Sequence, residues 1–272
     1  MQRHAELIIR KTLRKSDAEI MFASLFGSYR RGDYDTYSDI DIFVVHSEEE
    51  EKPFILNGLK CLERKLNRRI HMNLFSFKEF ESRLKFHDFL TASIIEDSSL
   101  ILGRKDIFDK AKRNILEVHP DEEAIRFNRH MGFKTLEHVY SYFNELNSNN
   151  FHHYGNLLNC VARGLNDYRL ALGYLYTSAQ MQRSGGDISS TRLAQNSFSS
   201  TLKEFAYIEK LIKRGSKIDY MMLRKLVDEI KNGSLRILTL NQYSSRRLIP
   251  LIKSYHSKLF KDLCLSPALS SY

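Results

Sequence analysis

Three cysteines, Cys61, Cys160 and Cys264, stand far apart in 272 residues, are odd in number and form no CxxC pair. That argues against a disulfide framework and against a structural zinc site, and leaves all three as reduced packing residues. No uninterrupted apolar run approaches the roughly 20 residues that cross a bilayer. The first residues, Met1-Gln2-Arg3-His4-Ala5-Glu6, contain no apolar signal segment. A cytoplasmic protein with no membrane contact is expected. There is no internal repeat and no long low-complexity tract, so disorder is expected only at ends and in loops.

What is present is the composition of a folded protein, 42% hydrophobic and 28% charged, in a chain long enough for two domains with a core each. The formal charge is +9, with a pI near 9.3. An excess of Lys and Arg concentrates polyanions around a protein, so nucleotides and nucleic acid both qualify as partners. The oligomeric state is left open.

One stretch concentrates the chemistry. Leu25-Phe26-Gly27-Ser28-Tyr29-Arg30-Arg31-Gly32 leads an apolar run into a Gly-Ser corner, and Ser38-Asp39-Ile40-Asp41-Ile42-Phe43-Val44-Val45 follows after a short polar loop. In a strand, alternate side chains share a face, so Asp39 and Asp41 point the same way, about 7 Å apart along the chain, close enough to share divalent cations. Ile40, Ile42 and Val44 then line the opposite face. The corner offers backbone N–H groups and a hydroxyl suited to an anion such as a triphosphate.

The flanking pattern gives these motifs a scaffold. Residues 4–15 read as an amphipathic helix, 19–26 as a buried strand, and Ser28 to Arg31 as a helical turn closed by Gly32. A strand over 38–46 precedes an acidic group, Glu48 to Glu51, expected in solvent. A helix opened by Pro53 buries Leu56, Leu59, Leu62 and Leu66. A third strand over 69–75 places Ile70, Met72 and Leu74 on one face and His71, Asn73 and Phe75 on the other. A short helix over 77–84, then a helix and an edge strand at Ser99 to Leu102, complete this half. From about residue 105 the pattern turns helical: 105–118, a long helix opened by Asp121-Glu122-Glu123, another over 152–182, and further helices over 201–214, 218–231 and 244–263. The strongest strand signal there is Leu235 to Leu240. The expected boundaries are 1–118 for the first domain and 119–272 for a helical bundle that binds a substrate or partner.

The Gly-Ser corner followed by Asp-x-Asp resembles the signature of the polymerase-beta-like nucleotidyltransferase superfamily, most of all its minimal prokaryotic members. The resemblance covers roughly residues 4–103. It implies an α+β fold, a small mixed sheet flanked by helices, followed here by an all-α bundle. It also implies that Gly27 and Ser28 contact the phosphates of a nucleoside triphosphate and that Asp39 and Asp41 hold Mg²⁺, as one ion or two. Arg30 and Arg31 lie where a guanidinium reaches a phosphate. Active members carry a third carboxylate on the neighbouring strand. The matching segment, Ile70-His71-Met72-Asn73-Leu74, puts Asn73 at that position as a neutral ligand, or His71 if the register is displaced by two. The expected function is Mg²⁺-dependent transfer of a nucleoside monophosphate from NTP to an acceptor hydroxyl. The alternative is a catalytically impaired, nucleotide-binding regulatory or antitoxin-like module that binds protein or nucleic acid. Lys203, Lys210, Lys213, Arg214 and Lys217 form the best local strip for a polyanion.

Overall fold

A computed structural model describes residues 2–36, 38–117, 119–148, 154–183 and 220–239. The chain divides into two compact units, Met1–Val118 and His119–Tyr272.

The first unit runs α1 (Gln2–Leu13), β1 (Ile20–Phe26), α2 (Gly27–Arg31), β2 (Ile40–His46), α3 (Lys52–Leu66), β3 (Ile70–Ser76), α4 (Phe77–Lys85), α5 (Phe89–Glu96), β4 (Ser99–Gly103) and α6 (Lys105–Glu117). Its sheet has the order β3-β2-β1-β4. β1 is antiparallel to both β2 and β4, and β2 is parallel to β3, the two joined through α3. The mixed sheet follows from the connections: a short link suffices for an antiparallel pair, whereas a parallel pair needs a helical crossover.

Both faces of the sheet are covered, which is why β2 reads as an almost unbroken apolar run. Ile40, Ile42 and Val44 pack with Ile9 and Leu13 of α1 and Ile55 and Leu62 of α3. Phe43 and Val45 face the other way, into Phe22, Phe75, Phe80, Ile94 and Phe108. Rings of that second layer meet at tilted or edge-on angles with centroids 5.2–5.8 Å apart, the geometry aromatic quadrupoles favour. Asp41 is the half-exposed exception near the N-terminal end of β2.

Two expectations change. The core face of α3 runs through Ile55 and Leu62, while Leu56 is exposed; two successive three-residue steps in a 3.6-residue helix set Leu56 roughly 120° round from Leu62, off the stripe. The acidic group is not simply solvated. Glu49–Glu51 forms a 3₁₀ turn, and the Glu51 carboxylate accepts from the backbone N–H groups of Glu19, Ser47 and Glu48 at 2.8–3.2 Å.

In the second unit, α7 (Glu122–Ser148), α8 (Tyr154–Arg183) and α9 (Tyr220–Thr239) share a core of Phe133, Leu136, Phe143, Leu157, Val161, Leu165, Tyr168, Leu172, Leu223 and Val227. Acidic residues at the start of α7 oppose its positive end. The strand-like stretch from Leu235 lies in α9 up to Thr239; helical packing of Leu238 against the core overrides β propensity. The helices expected over 201–214 and 244–263, and the basic strip from Lys203 to Lys217, lie outside the described residues. No described helix is long and apolar enough to cross a membrane.

Candidate functional site

Four strand ends meet at one edge of the sheet. Antiparallel pairing sets Phe26, the last residue of β1, opposite Asp41. Parallel pairing sets Asp41 beside His71 and Phe43 beside Asn73. The β1–β4 register places Leu25 opposite Ser99, so continuing two residues along each strand brings Gly27 against Asp97.

Gly27 makes the turn from strand to helix with φ +70, a left-handed value that glycine adopts without a Cβ clash. It is also packed on Asp41. A β-carbon there would overlap the Asp41 carboxylate, lying 3.1 Å from its Cγ and closer still to Oδ2. The Gly-Ser corner and the Asp-x-Asp strand are therefore in direct contact, and a side chain at position 27 would displace the carboxylate. The other oxygen of Asp41, Oδ1, lies 3.1 Å from His71 Nδ1. His71 thus stands beside Asp41, and Asn73, two residues further along β3, pairs with Phe43 of the aromatic layer.

The loop between corner and strand is braced. Tyr29 of α2 is buried and stacks on Tyr34 with centroids 4.2 Å apart. Burial pushes its phenol pKa up, against the opposing pull of Arg68. The Arg68 guanidinium donates to the carbonyls of Asp35 and Thr36. Ser38 Oγ accepts from Asp35 N–H at 2.9 Å and donates to its Oδ1 at 3.0 Å. These contacts deliver Asp39, half-buried, into the start of β2.

Sequence reasoning missed Asp97, at the end of α5. Its Oδ2 accepts from Gly27 N–H at 3.0 Å and from Arg31 Nη1 at 2.7 Å, and its Oδ1 lies 3.6 Å from Arg30 Nη1. Arg30 and Arg31 are thus both paired within the protein, although each stays partly exposed. Lys112 of α6, also missed, donates to Ser98 O at 2.8 Å and sits over the Phe108 ring. Its ammonium pKa is lowered, first by burial and then by Arg30, with Asp109, Asp97 and Glu96 pulling back. Neither residue belongs to a local motif; the signal that could have found Asp97 is its place two residues ahead of the β4 strand.

Magnesium takes oxygen ligands and is commonly held by one or two carboxylates completed by substrate phosphates. Asp41 at the start of β2 and Asp39 just before it are the carboxylates that one such ion would use. A second ion would have a histidine nitrogen instead of a third carboxylate, and among the described residues no group of three or more His, Cys, Asp and Glu is placed to hold a metal.

Residues 8–121 match the family model described as a nucleotidyltransferase domain. The first unit is a nucleotidyltransferase domain. Its match ends close to the start of α7, so the helical unit lies outside it. No curated protein matches the chain. Among solved structures, a toxin–antitoxin complex with AMP-PNP is 21% identical, with a TM-score of 0.32, covering 40% of this chain and 83% of that one. A tri-AMPylated HEPN toxin from Shewanella oneidensis in complex with its MNT antitoxin is 18% identical, with a TM-score of 0.31, covering 42% and 82%.

Proposed function

We propose that the nucleotidyltransferase domain binds a nucleoside triphosphate with Mg²⁺ at Asp39 and Asp41 and transfers its nucleoside monophosphate to an acceptor hydroxyl. The observation that supports this reading is the close approach of Gly27 to the Asp41 carboxylate, which leaves no room for a β-carbon between the corner and the strand. In the transfer, the acceptor oxygen bonds to the α-phosphorus, the bond from that phosphorus to the bridging oxygen breaks, pyrophosphate leaves with the electron pair, and the hydroxyl proton passes to water. Bound magnesium would offset charge on the triphosphate and on the leaving pyrophosphate. The chain's own part is positional: Ser28, after a Gly27 whose N–H is taken by Asp97, would offer its N–H and hydroxyl, and Asp39 and Asp41 would supply carboxylates just before and within the start of β2.

A second reading is nucleotide binding without transfer, in a regulatory or antitoxin-like module. What supports it is that the β3 residues nearest the carboxylates, His71 beside Asp41 and Asn73 beside Phe43, are neither of them acids.

Two measurements decide. Titration of ATP, GTP, CTP and UTP with Mg²⁺ and in EDTA is expected to show metal-dependent binding, lost by about 100-fold or more in the Asp39→Asn, Asp41→Asn double variant. Unchanged binding in that variant removes the site assignment. Incubation with α-labelled NTPs and protein, RNA and small hydroxylic acceptors then separates the readings: label in an acceptor supports transfer, and tight binding with no labelled acceptor supports the regulatory module.

A further inference from the structure

We infer that Asp97 is a positioning residue for the Asp41 carboxylate, acting through Gly27; this rests on the reading of Asp39 and Asp41 as a magnesium–triphosphate site. A single Asp97 oxygen accepts from the backbone N–H of Gly27 and the guanidinium of Arg31. It therefore grips the first and last residues of α2, a five-residue helix too short to hold its own shape. The same Gly27 backs onto Asp41 Oδ2, while Asp41 Oδ1 meets His71. Asp41 is confined from two sides, and Asp97 sets one of them.

Asp97 is itself held from several elements. Its backbone N–H bonds to Ser93 O at 3.2 Å at the end of α5. Its neighbour Ser98 donates to Ile94 O at 2.5 Å, accepts from Ser24 Oγ of β1 at 3.2 Å and offers its carbonyl to Lys112 of α6. The buried Ser24–Ser98 pair explains a serine in the middle of an apolar strand: it locks the segment before β4 to β1, and so locks Asp97 to the corner. Arg30 and Arg31 serve this clamp before any phosphate arrives. A carboxylate so close to a phosphate-binding corner would by charge alone repel a triphosphate, so a positioning role and a repelling role predict opposite effects of its removal.

The test uses the full chain with Asp97→Ala and Asp97→Asn. For each, the Kd of the best-bound NTP is measured calorimetrically with Mg²⁺ and in EDTA, and the thermal midpoint is recorded without ligand. The expected result for Asp97→Ala is a fall of about tenfold in the ratio of the two affinities, the scale of a charge-assisted hydrogen bond. Asp97→Asn, which keeps an oxygen for Gly27 N–H, is expected to restore the ratio to within about threefold of the native value. Should the alanine variant not fold, Asp97→Glu, which pushes the carboxylate one methylene past Gly27, is expected to show the same loss. Tighter binding in any variant overturns the inference in favour of a repelling anion. An equal loss with and without Mg²⁺ that follows the thermal midpoint overturns it in favour of a purely structural contact. If the native chain shows Mg²⁺-dependent binding and the ratio never changes, this inference alone fails; if the native chain shows none, it fails together with the proposed function.

Discussion

In the helical unit, the buried side chains of Asn128 and Ser178 bond to helix backbone carbonyls. Asn128 donates to Ala124 O one turn back, and Ser178 of α8 donates to Ile125 O on the facing α7. In the nucleotidyltransferase domain, polar groups at the strand ends bond across elements: Ser24 to Ser98, Gly27 N–H to Asp97, Asp41 to His71. The first pattern satisfies a polar group and leaves specificity to apolar packing. The second fixes the relative position of strand ends, which a site assembled from four strands requires. The glycines differ in the same way. Gly27 gives space to a carboxylate, whereas Gly164 of α8 gives space to the Phe143 ring of α7, which a β-carbon would penetrate.

The largest expected effect on stability comes from Asp88, the buried N-cap of α5. Its Oδ2 accepts from Thr91 N–H at 2.9 Å and Thr91 Oγ1 at 2.6 Å and pairs with Arg83 at 3.3 Å. Asp88→Ala removes a cap and the acceptor of the buried Thr91 hydroxyl, while Arg83 keeps its ion pair with Glu79, for a loss of about 3 kcal/mol. A urea titration reads the loss, and amide exchange in α5 localises it. A change below about 1 kcal/mol would mean that the cap is replaceable by water and that this domain's polar links are weaker than argued.

The two glycines sharpen the contrast at smaller cost. Gly27→Ala combines a positive φ with a clash at Asp41, and Gly164→Ala overpacks a helix interface while gaining helix propensity; each is expected to cost about 2 kcal/mol. Their consequences for ligand separate them. Gly27→Ala loses Mg²⁺-dependent nucleotide affinity, and Gly164→Ala keeps it, in the same calorimetric titration. Equal loss in both would show that affinity follows overall stability and not the corner.

Much of the domain was legible because it rests on local pattern. Alternation sorted the residues of β2 and β3 onto their two faces, and Gly27 closing an apolar run marked the turn. What escaped depends on pairing between distant segments. His71 and Asn73 share a face of β3, so alternation leaves their register against Asp41 open; only the parallel pairing of β2 with β3 places His71 beside it. Asp97 looks like any acid ahead of a strand until β4 pairs with β1. Leu56 failed for a different reason: several leucines at similar spacing offer more than one stripe, and the sheet selects the one through Ile55 and Leu62.

The smallest effect at neutral pH belongs to Cys160, between Tyr142 of α7 and the core of α8. Burial pushes its thiol up from 9.0 to about 12, a rise that the hydrogen bond with Tyr142 partly opposes. A folded-state pKa above the unfolded value contributes stability that is fully present below about pH 9 and is lost as pH rises toward 12. Native protein is therefore expected to lose stability between those values more steeply than Cys160→Ala, while the two run parallel below pH 9. Iodoacetamide at pH 8, read by peptide mass, should modify half-exposed Cys61 and spare Cys160, since a protonated buried thiol is not a nucleophile. Ready labelling of Cys160 would show that α7 and α8 open around it. The helical unit would then be the more mobile of the two, and its packed core would not be the rigid counterpart to the polar-linked strand ends.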